Sequence, residues 1–242
     1  MNDILDLHTH TLASGHAYNT LFEMFEAAYQ KGLALFGSSD HAPRIPGTCT
    51  QMYFNNFSVI PRTYKDMPIL MGSELNIWDY KGSVDLPEYT LKRMDYAIAS
   101  IHKPCYHCGT PAENTSAIIG ALNNPHINII GHPDDGRFPL EFAPIVEAAK
   151  SLHKLLEVNS SSLVPGCSRI HARENYLKLL PLCAEAGVSV ILSSDAHVAN
   201  DVGNHRLAHE LLEEIHFPEE LVVNTSLEKL AAYLPTVAAL LH

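Results

Sequence analysis

The chain has 242 residues, 46% hydrophobic and 18% charged, and its 16 Lys plus Arg against 27 Asp plus Glu give a formal charge of −11. A chain of this length buries a large core without disulfides or a structural metal, so a metal site in it would serve chemistry rather than folding. The acidic balance argues against nucleic acid or an anionic membrane as the default partner.

The first apolar run, Ile4–Leu7, reads as a strand, and His8, His10 and His16 follow it at once. Side chains alternate along a strand, so His8 and His10 share a face, and two imidazoles aimed at one point suit a divalent cation. A helix over Leu21–Lys31 and a strand over Leu35–Ser38 come next, and "SSDH" ends the second unit on His41. The stretch Ala42–Lys65, rich in Pro, Asn and aromatics, reads as a long loop with a short helix, of the kind that shapes a substrate pocket. A third strand, Ile69–Gly72, leads to Glu74, and a fourth, Tyr96–Ser100, to His102.

"NTSAIIGAL" predicts a helix over Thr115–Leu122, capped by the Asn or Thr ahead of its apolar stripe. The strand Ile127–Gly131 then runs to His132, the helix Pro144–Leu152 follows, and the strand Leu155–Val158 ends at Asn159. A helix over Asn175–Ala186 stops at Gly187, and the strand Val190–Ser193 delivers Asp195 and His197, again at i and i+2. Two further helices are expected near Arg206–Ile215 and Ser226–Leu234.

Alternation of strand and helix predicts an α/β fold with a parallel sheet. Seven units without a break in composition suggest one domain over residues 1–242 built as a closed TIM-like barrel, with an open doubly wound sheet as the alternative. A barrel gathers the C-terminal ends of its strands at one face, where active sites sit. His8, His10, His16, His41, Glu74, His102, His132, Asp195 and His197 would then converge. At three or four protein ligands per ion, these nine with one bridging carboxylate suit two or three cations, and their imidazole content favours Zn, Mn or Fe over Mg and Ca.

"DLHTHT", the later His16, "SDH", "GSELN", "IH", "GHP" and "SSDAH" resemble the PHP (polymerase and histidinol phosphatase) family. Their order and spacing are most similar to the YcdX-type probable phosphatases. The resemblance implies a distorted seven-stranded (β/α)7 barrel with three metal ions at the C-terminal face of its strands. The implied metal is zinc, with manganese or iron as alternatives. By similarity His8, His10, Glu74 and Asp195 hold the first ion, His16, His41 and His197 the second, and Glu74 with His102 and His132 the third. The implied activity is hydrolysis of a small phosphorylated substrate by a metal-bound hydroxide, with Glu74 and Asp195 as metal-holding carboxylates. Ala42 and Asp134 stand where such relatives often carry Gly, which touches substrate identity rather than the ligands.

Asn159, Arg169 and His171 are candidate substrate-binding groups, since a guanidinium forks well onto phosphate, and Arg137 and Lys103 are weaker ones. "CYHC" gives Cys105 and Cys108 without the second pair a zinc ribbon needs, and "CSRIHAR" matches the C-x5-R of cysteine phosphatases without its Gly-rich cradle. Five cysteines at irregular spacing, no leader pattern and no apolar run of about 20 residues lead to the expectation of a cytoplasmic protein without membrane contact, and a homo-oligomer is left open. Two competing readings are an amidohydrolase-type metal-dependent hydrolase and a non-catalytic metal-binding PHP regulatory module. Of the eight remaining histidines, His126, His153, His205, His209, His216 and His242 have no spacing that recruits them.

Overall fold

The computed structural model describes residues 2–241, so Met1 and His242 lie outside the described residues. Strand β1 is Leu5–Asp6, and α1 (Leu21–Gln30) returns the chain to β2 (Leu35–Ser38). After α2 (Gln51–Asn55) come the short β3 (Thr63–Tyr64) and the long β4 (Met67–Ile77). Then follow α3 (Glu88–Leu91), β5 (Tyr96–Ile101), α4 (Pro111–Leu122), β6 (Ile129–Ile130), α5 (Phe142–Leu152), β7 (Leu155–Asn159), α6 (Ala172–Ala186) and β8 (Val190–Ser193). The chain closes with α7 (Arg206–Glu214), α8 (Leu227–Ala231) and α9 (Pro235–Ala238).

The order β1-β2-β4-β5-β6-β7-β8 is parallel throughout, with β3 antiparallel on β4. These seven parallel strands curl into a nearly closed TIM-like barrel. At its top the ring closes through a parallel bridge between Thr9 and Ala196, where His10 N–H donates to Ala196 O at 2.8 Å. Lower down, the buried amide of Asn224 stands between β1 and β8. Its Oδ1 accepts from Leu192 N at 2.7 Å, and its Nδ2 donates to Leu192 O at 2.8 Å and to Leu5 O at 3.2 Å. One side chain thus satisfies backbone groups that a strand pair would otherwise satisfy.

Alternation along the strands sorts the core into two bodies. Leu5, Leu35, Leu70, Ile98, Ile129, Leu155 and Ile191 pack inside the barrel, over residues of α8 and α9 that cover its lower end. Their neighbours Phe36, Met71, Ala99, Ile130, Leu156 and Leu192 pack outward against the helices. Tyr96 lies across the interior, and a Cβ on Gly37 or Gly72 would come within 2.5 and 2.7 Å of its ring or hydroxyl. These two positions are glycine because an aromatic side chain occupies the space.

A strand stands at each of the seven expected places, and the element limits shift for local reasons. Helix α4 begins at Pro111, not Thr115, because Thr110 and Glu113 form a reciprocal capping box; Asn114 and Thr115 lie inside the helix. Helices α5 and α6 likewise begin ahead of their expected starts, at Phe142 and Ala172. The expected Ser226–Leu234 helix is shorter, Leu227–Ala231, with α9 opening separately on Pro235. The 42–65 stretch holds α2 as its short helix, and also the small strand β3.

Candidate metal centre

The parity that buries Leu70 and Gly72 inside the barrel also turns Glu74 inward near the C-terminal end of β4. Its two oxygens divide the neighbouring imidazoles between them. Oε2 lies 3.3 Å from His8 Nε2, 3.6 Å from His10 Nε2 and 2.8 Å from His41 Nδ1. Oε1 lies 3.0 Å from His102 Nε2 and 2.9 Å from His132 Nε2. Asp195 Oδ1 lies 3.2 Å from His10 Nε2, 3.7 Å from His8 Nε2 and 3.6 Å from His197 Nδ1. His197 Nε2 in turn faces His16 Nε2 at 3.0 Å. All nine sequence-selected groups therefore meet at one rim, graded from the buried His8, His10 and Glu74 to the exposed His16. The backbone at His132 (φ 28°) and Asp195 (φ 54°) is left-handed, a conformation that costs a non-Gly residue energy and recurs at functional sites.

The donor set fits divalent cations. Among the described residues the buried His8 Nε2, His10 Nε2, His41 Nδ1 and Glu74 Oε2 have no hydrogen-bond partner, although they crowd together. Buried polar atoms without partners are costly, and cations placed among them would remove the cost. Three donor sets, His8–His10–Glu74, His10–His41–His197 and His41–Glu74–His102, have ligand atoms within 4.8 Å of one another. The far nitrogens of five rings are held in a consistent sense. His8 Nδ1 meets Glu157 Oε1 at 2.5 Å, His16 Nδ1 meets Ser14 O at 3.0 Å, and His197 Nδ1 meets Asp195 O at 2.9 Å. His10 Nδ1 meets Ser14 Oγ at 3.1 Å, whose own proton goes to Asp40. His102 Nδ1 meets Asn76 Oδ1 at 2.7 Å, and Asn76 Nδ2 is committed to Ala42 O and Asp85. Each partner accepts, so each ring is held as an Nδ1–H donor and leaves Nε2 as the atom available to a cation.

The electrostatics are mixed in sign and strong. Burial acts to lower the His8 imidazole, but the carboxylates of Glu157, Glu74 and Asp195 hold it well above the usual histidine range. Burial, with His41 and His197 alongside, pushes His10 well below that range, and the same influences lower His16. Against their own burial, Glu74 is held well below the usual carboxylate range by His102, His8 and His41, and Asp195 by His8 and Arg169. Both carboxylates therefore stay ionised, as metal ligands must.

Around this cluster lies a supporting layer that the sequence reading passed over. Glu157 is buried on the inner face of β7, two residues above Leu155. Besides His8 it accepts from His132 N at 2.5 Å and from the Ser193 hydroxyl. Its signal was the same i, i+2 spacing that singled out His8 and His10, here Leu155, Glu157 and Asn159. Asp40 ties the first loop down through Thr11 N (2.7 Å), Ser14 Oγ (2.7 Å) and Tyr53 Oη (2.7 Å).

The candidate substrate groups separate. Asn159 is buried, and its Nδ2 donates to Asp195 Oδ2 at 3.1 Å and Glu157 Oε2 at 3.2 Å, so it orients carboxylates. Arg169 Nη2 donates to Asp195 Oδ2 at 2.8 Å, and among the described residues its other N–H groups have no protein acceptor. His171 caps α6, is exposed, and lines a separate surface depression with Gly136 and Phe142. The Arg137 fork is taken up by Asp135. All five cysteines are free thiols, and no helix of the described residues is long and apolar enough to cross a membrane.

No family model matches the chain. It is 43% identical over 234 residues to a probable phosphatase of Clostridium novyi, covering 97% of this chain and 95% of that one. It is 44% identical over 236 residues to a probable phosphatase of Caldanaerobacter subterraneus subsp. tengcongensis, covering 96% and 91%. A crystal structure of histidinol phosphate phosphatase from Lactococcus lactis, complexed with Zn, L-histidinol and phosphate, superposes with a TM-score of 0.63 at 19% identity, over 89% of this chain and 95% of that one. That likeness shows the shared barrel. Identity above two-fifths along nearly the whole length decides the kinship: the chain belongs to the family of these probable phosphatases.

Proposed function

We propose that the protein is a metal-dependent phosphatase of the YcdX-type PHP kind, hydrolysing phosphoesters at a centre of three divalent cations, zinc by preference. The observation that carries this reading is the array of five imidazoles whose Nδ1 atoms are held by acceptors, the Nε2 atoms of His8, His10 and His102 converging on Glu74 or Asp195 and those of His16 and His197 facing each other at the rim. The phosphatase names of the relatives and the zinc and phosphate in the Lactococcus lactis barrel support it. In the assignment we favour, His8, His10, Glu74 and Asp195 hold one ion. His16, His41 and His197 hold a second at the open rim, and Glu74, His102 and His132 hold a third.

When bound, such cations lower the pKa of water toward roughly 7 and neutralise charge on phosphoryl oxygens. The chain's own groups do the rest. Glu74 offers one oxygen to each side of the cluster and so fixes the spacing between sites. Glu157 and Asn159 hold His8 and Asp195 in position. Arg169 is anchored on Asp195 by one N–H and presents the remaining edge of its guanidinium to a phosphate oxygen. The barrel wall keeps the array preorganised.

The test is turnover of p-nitrophenyl phosphate by protein with and without exhaustive chelation, together with His10→Ala. We expect chelation and the substitution each to remove activity, and zinc to restore only the chelated wild type. Full turnover by the metal-free protein would refute the reading. A metal content near three per chain separates it from an amidohydrolase-type centre of one or two ions.

A further inference from the structure

A cavity of about 330 Å3 opens beside the metal centre, between the turn after β7 and the start of α7, and Asp195 and His197 form part of its wall. That volume lies in the range of small-ligand sites. The rest of the wall is polar in a specific way. Ser160 is buried, and among the described residues its hydroxyl oxygen only accepts a 3.4 Å bond from Ala208 N, so its proton is free to donate. The side chains of Asp201 and Asn204 have no hydrogen-bond or ion-pair partner among the described residues, although both line the cavity. The Arg206 guanidinium is engaged by Glu210 at 2.5 Å. Val164 and Leu207 supply a narrow apolar strip. No Phe, Tyr or Trp is among the lining residues, so the wall offers no large aromatic face to a base.

A hydroxyl donor, an amide that both donates and accepts, and a carboxylate that accepts match the alternating donors and acceptors of neighbouring alcohol groups. The Asp201 carboxylate also disfavours a second phosphate. We infer that this cavity receives the leaving alcohol and selects polyhydroxylated ones, making sugar or polyol monophosphates the substrate class. The inference rests on the phosphatase reading above. In the reaction water adds its oxygen to phosphorus, the P–O bond to the sugar breaks, and the leaving alkoxide takes up a proton to become the free alcohol in the cavity.

The experiment compares three esters on zinc-loaded protein: p-nitrophenyl phosphate, ribose 5-phosphate, and adenosine 5′-monophosphate, which has the same leaving oxygen with a base added. We expect kcat/KM for ribose 5-phosphate to exceed that for the nucleotide by about tenfold or more. Asn204→Ala and Asp201→Ala should each lower the ratio of ribose 5-phosphate to aryl phosphate turnover by about tenfold, the scale of one lost hydrogen bond. A second readout is free of turnover: saturation-transfer NMR should detect ribose on the wild type and lose it in Asn204→Ala, with thermal melting confirming that each variant is folded. Hydrolysis of the aryl ester with unchanged ratios in both variants, or preference for the nucleotide, overturns this inference alone. Failure to hydrolyse any of the three overturns it together with the phosphatase reading.

Discussion

His8 Nδ1 and Glu157 Oε1, 149 residues apart in the chain, meet at 2.5 Å in the buried floor of the candidate metal centre. The carboxylate fixes the ring's proton on Nδ1 and leaves Nε2 to face Glu74. A Gln at position 157 keeps the shape, but it can present an N–H where the ring needs an acceptor. Loss of such an outer partner typically weakens metal binding about 10- to 100-fold. Glu157→Gln should therefore fold and lose zinc affinity on that scale, read by competition with a chromogenic chelator. Wild-type affinity in the variant would show that the contact has no part in ligand orientation.

Arg169 is expected to act on substrate affinity. Charge-assisted hydrogen bonds contribute about 1.5–3 kcal/mol, so Arg169→Ala should raise KM for an aryl phosphate roughly 10- to 100-fold while zinc content stays near that of the wild type. Arg169→Lys keeps the charge without the fork and should recover only part of the loss. An unchanged KM in Arg169→Ala would assign the side chain to Asp195 alone.

Asn224 carries a stability prediction. Its amide makes three bonds to Leu5 and Leu192 at the seam between β1 and β8, where it is fully buried. Asn224→Ala leaves those backbone groups unpaired, at about 1–3 kcal/mol for each unsatisfied group, so a loss of at least about 2 kcal/mol is expected in urea unfolding. A variant as stable as the wild type would mean that water or backbone pairing closes the seam instead.

The N-terminus predicts a pH dependence carried by groups other than the nine candidate ligands. His205 Nδ1 lies 2.8 Å from Asp3 Oδ2, and its other nitrogen 3.6 Å from Asp6 Oδ1. Burial acts to lower His205, but Asp3 and Asp6 hold it up at about 9. Burial acts to raise Asp3, but His205 and His209 bring it down to about 2. Because the histidine is raised, its contribution is complete below its ordinary 6.5 and is lost as pH climbs through 9. The Asp3 contribution is complete above its ordinary 3.8 and is lost as pH falls through 2. Urea stability should thus fall by on the order of 2 kcal/mol between pH 6.5 and pH 10, and His205→Gln should flatten that slope. An equally steep slope in the variant would place its origin elsewhere.

The barrel and the nine converging groups were legible because both depend on periodicity. Apolar strand runs fix parity, and parity decides that Glu74 and His102 share the inner face with Leu70 and Ile98. Helix limits were less legible, since the capping box at Thr110 lies ahead of the apolar stripe that marks α4. Glu157 was passed over because it sits inside a strand rather than at its end, where polar residues draw attention. His171 shows the converse: its place in a loop near Arg169 suggested a substrate contact, but the left-handed turn at φ 55° sends the chain outward into α6. Asn224 had no signal at all, because its role exists only once the first and last strands are brought side by side.

The central claim is that these nine groups hold cations on which phosphoester hydrolysis depends. Titrating chelated protein with zinc, while following p-nitrophenyl phosphate turnover against zinc bound per chain, tests it most directly. Turnover should be absent at zero zinc and rise to a plateau near three equivalents. A flat trace with full activity at zero zinc would contradict the account.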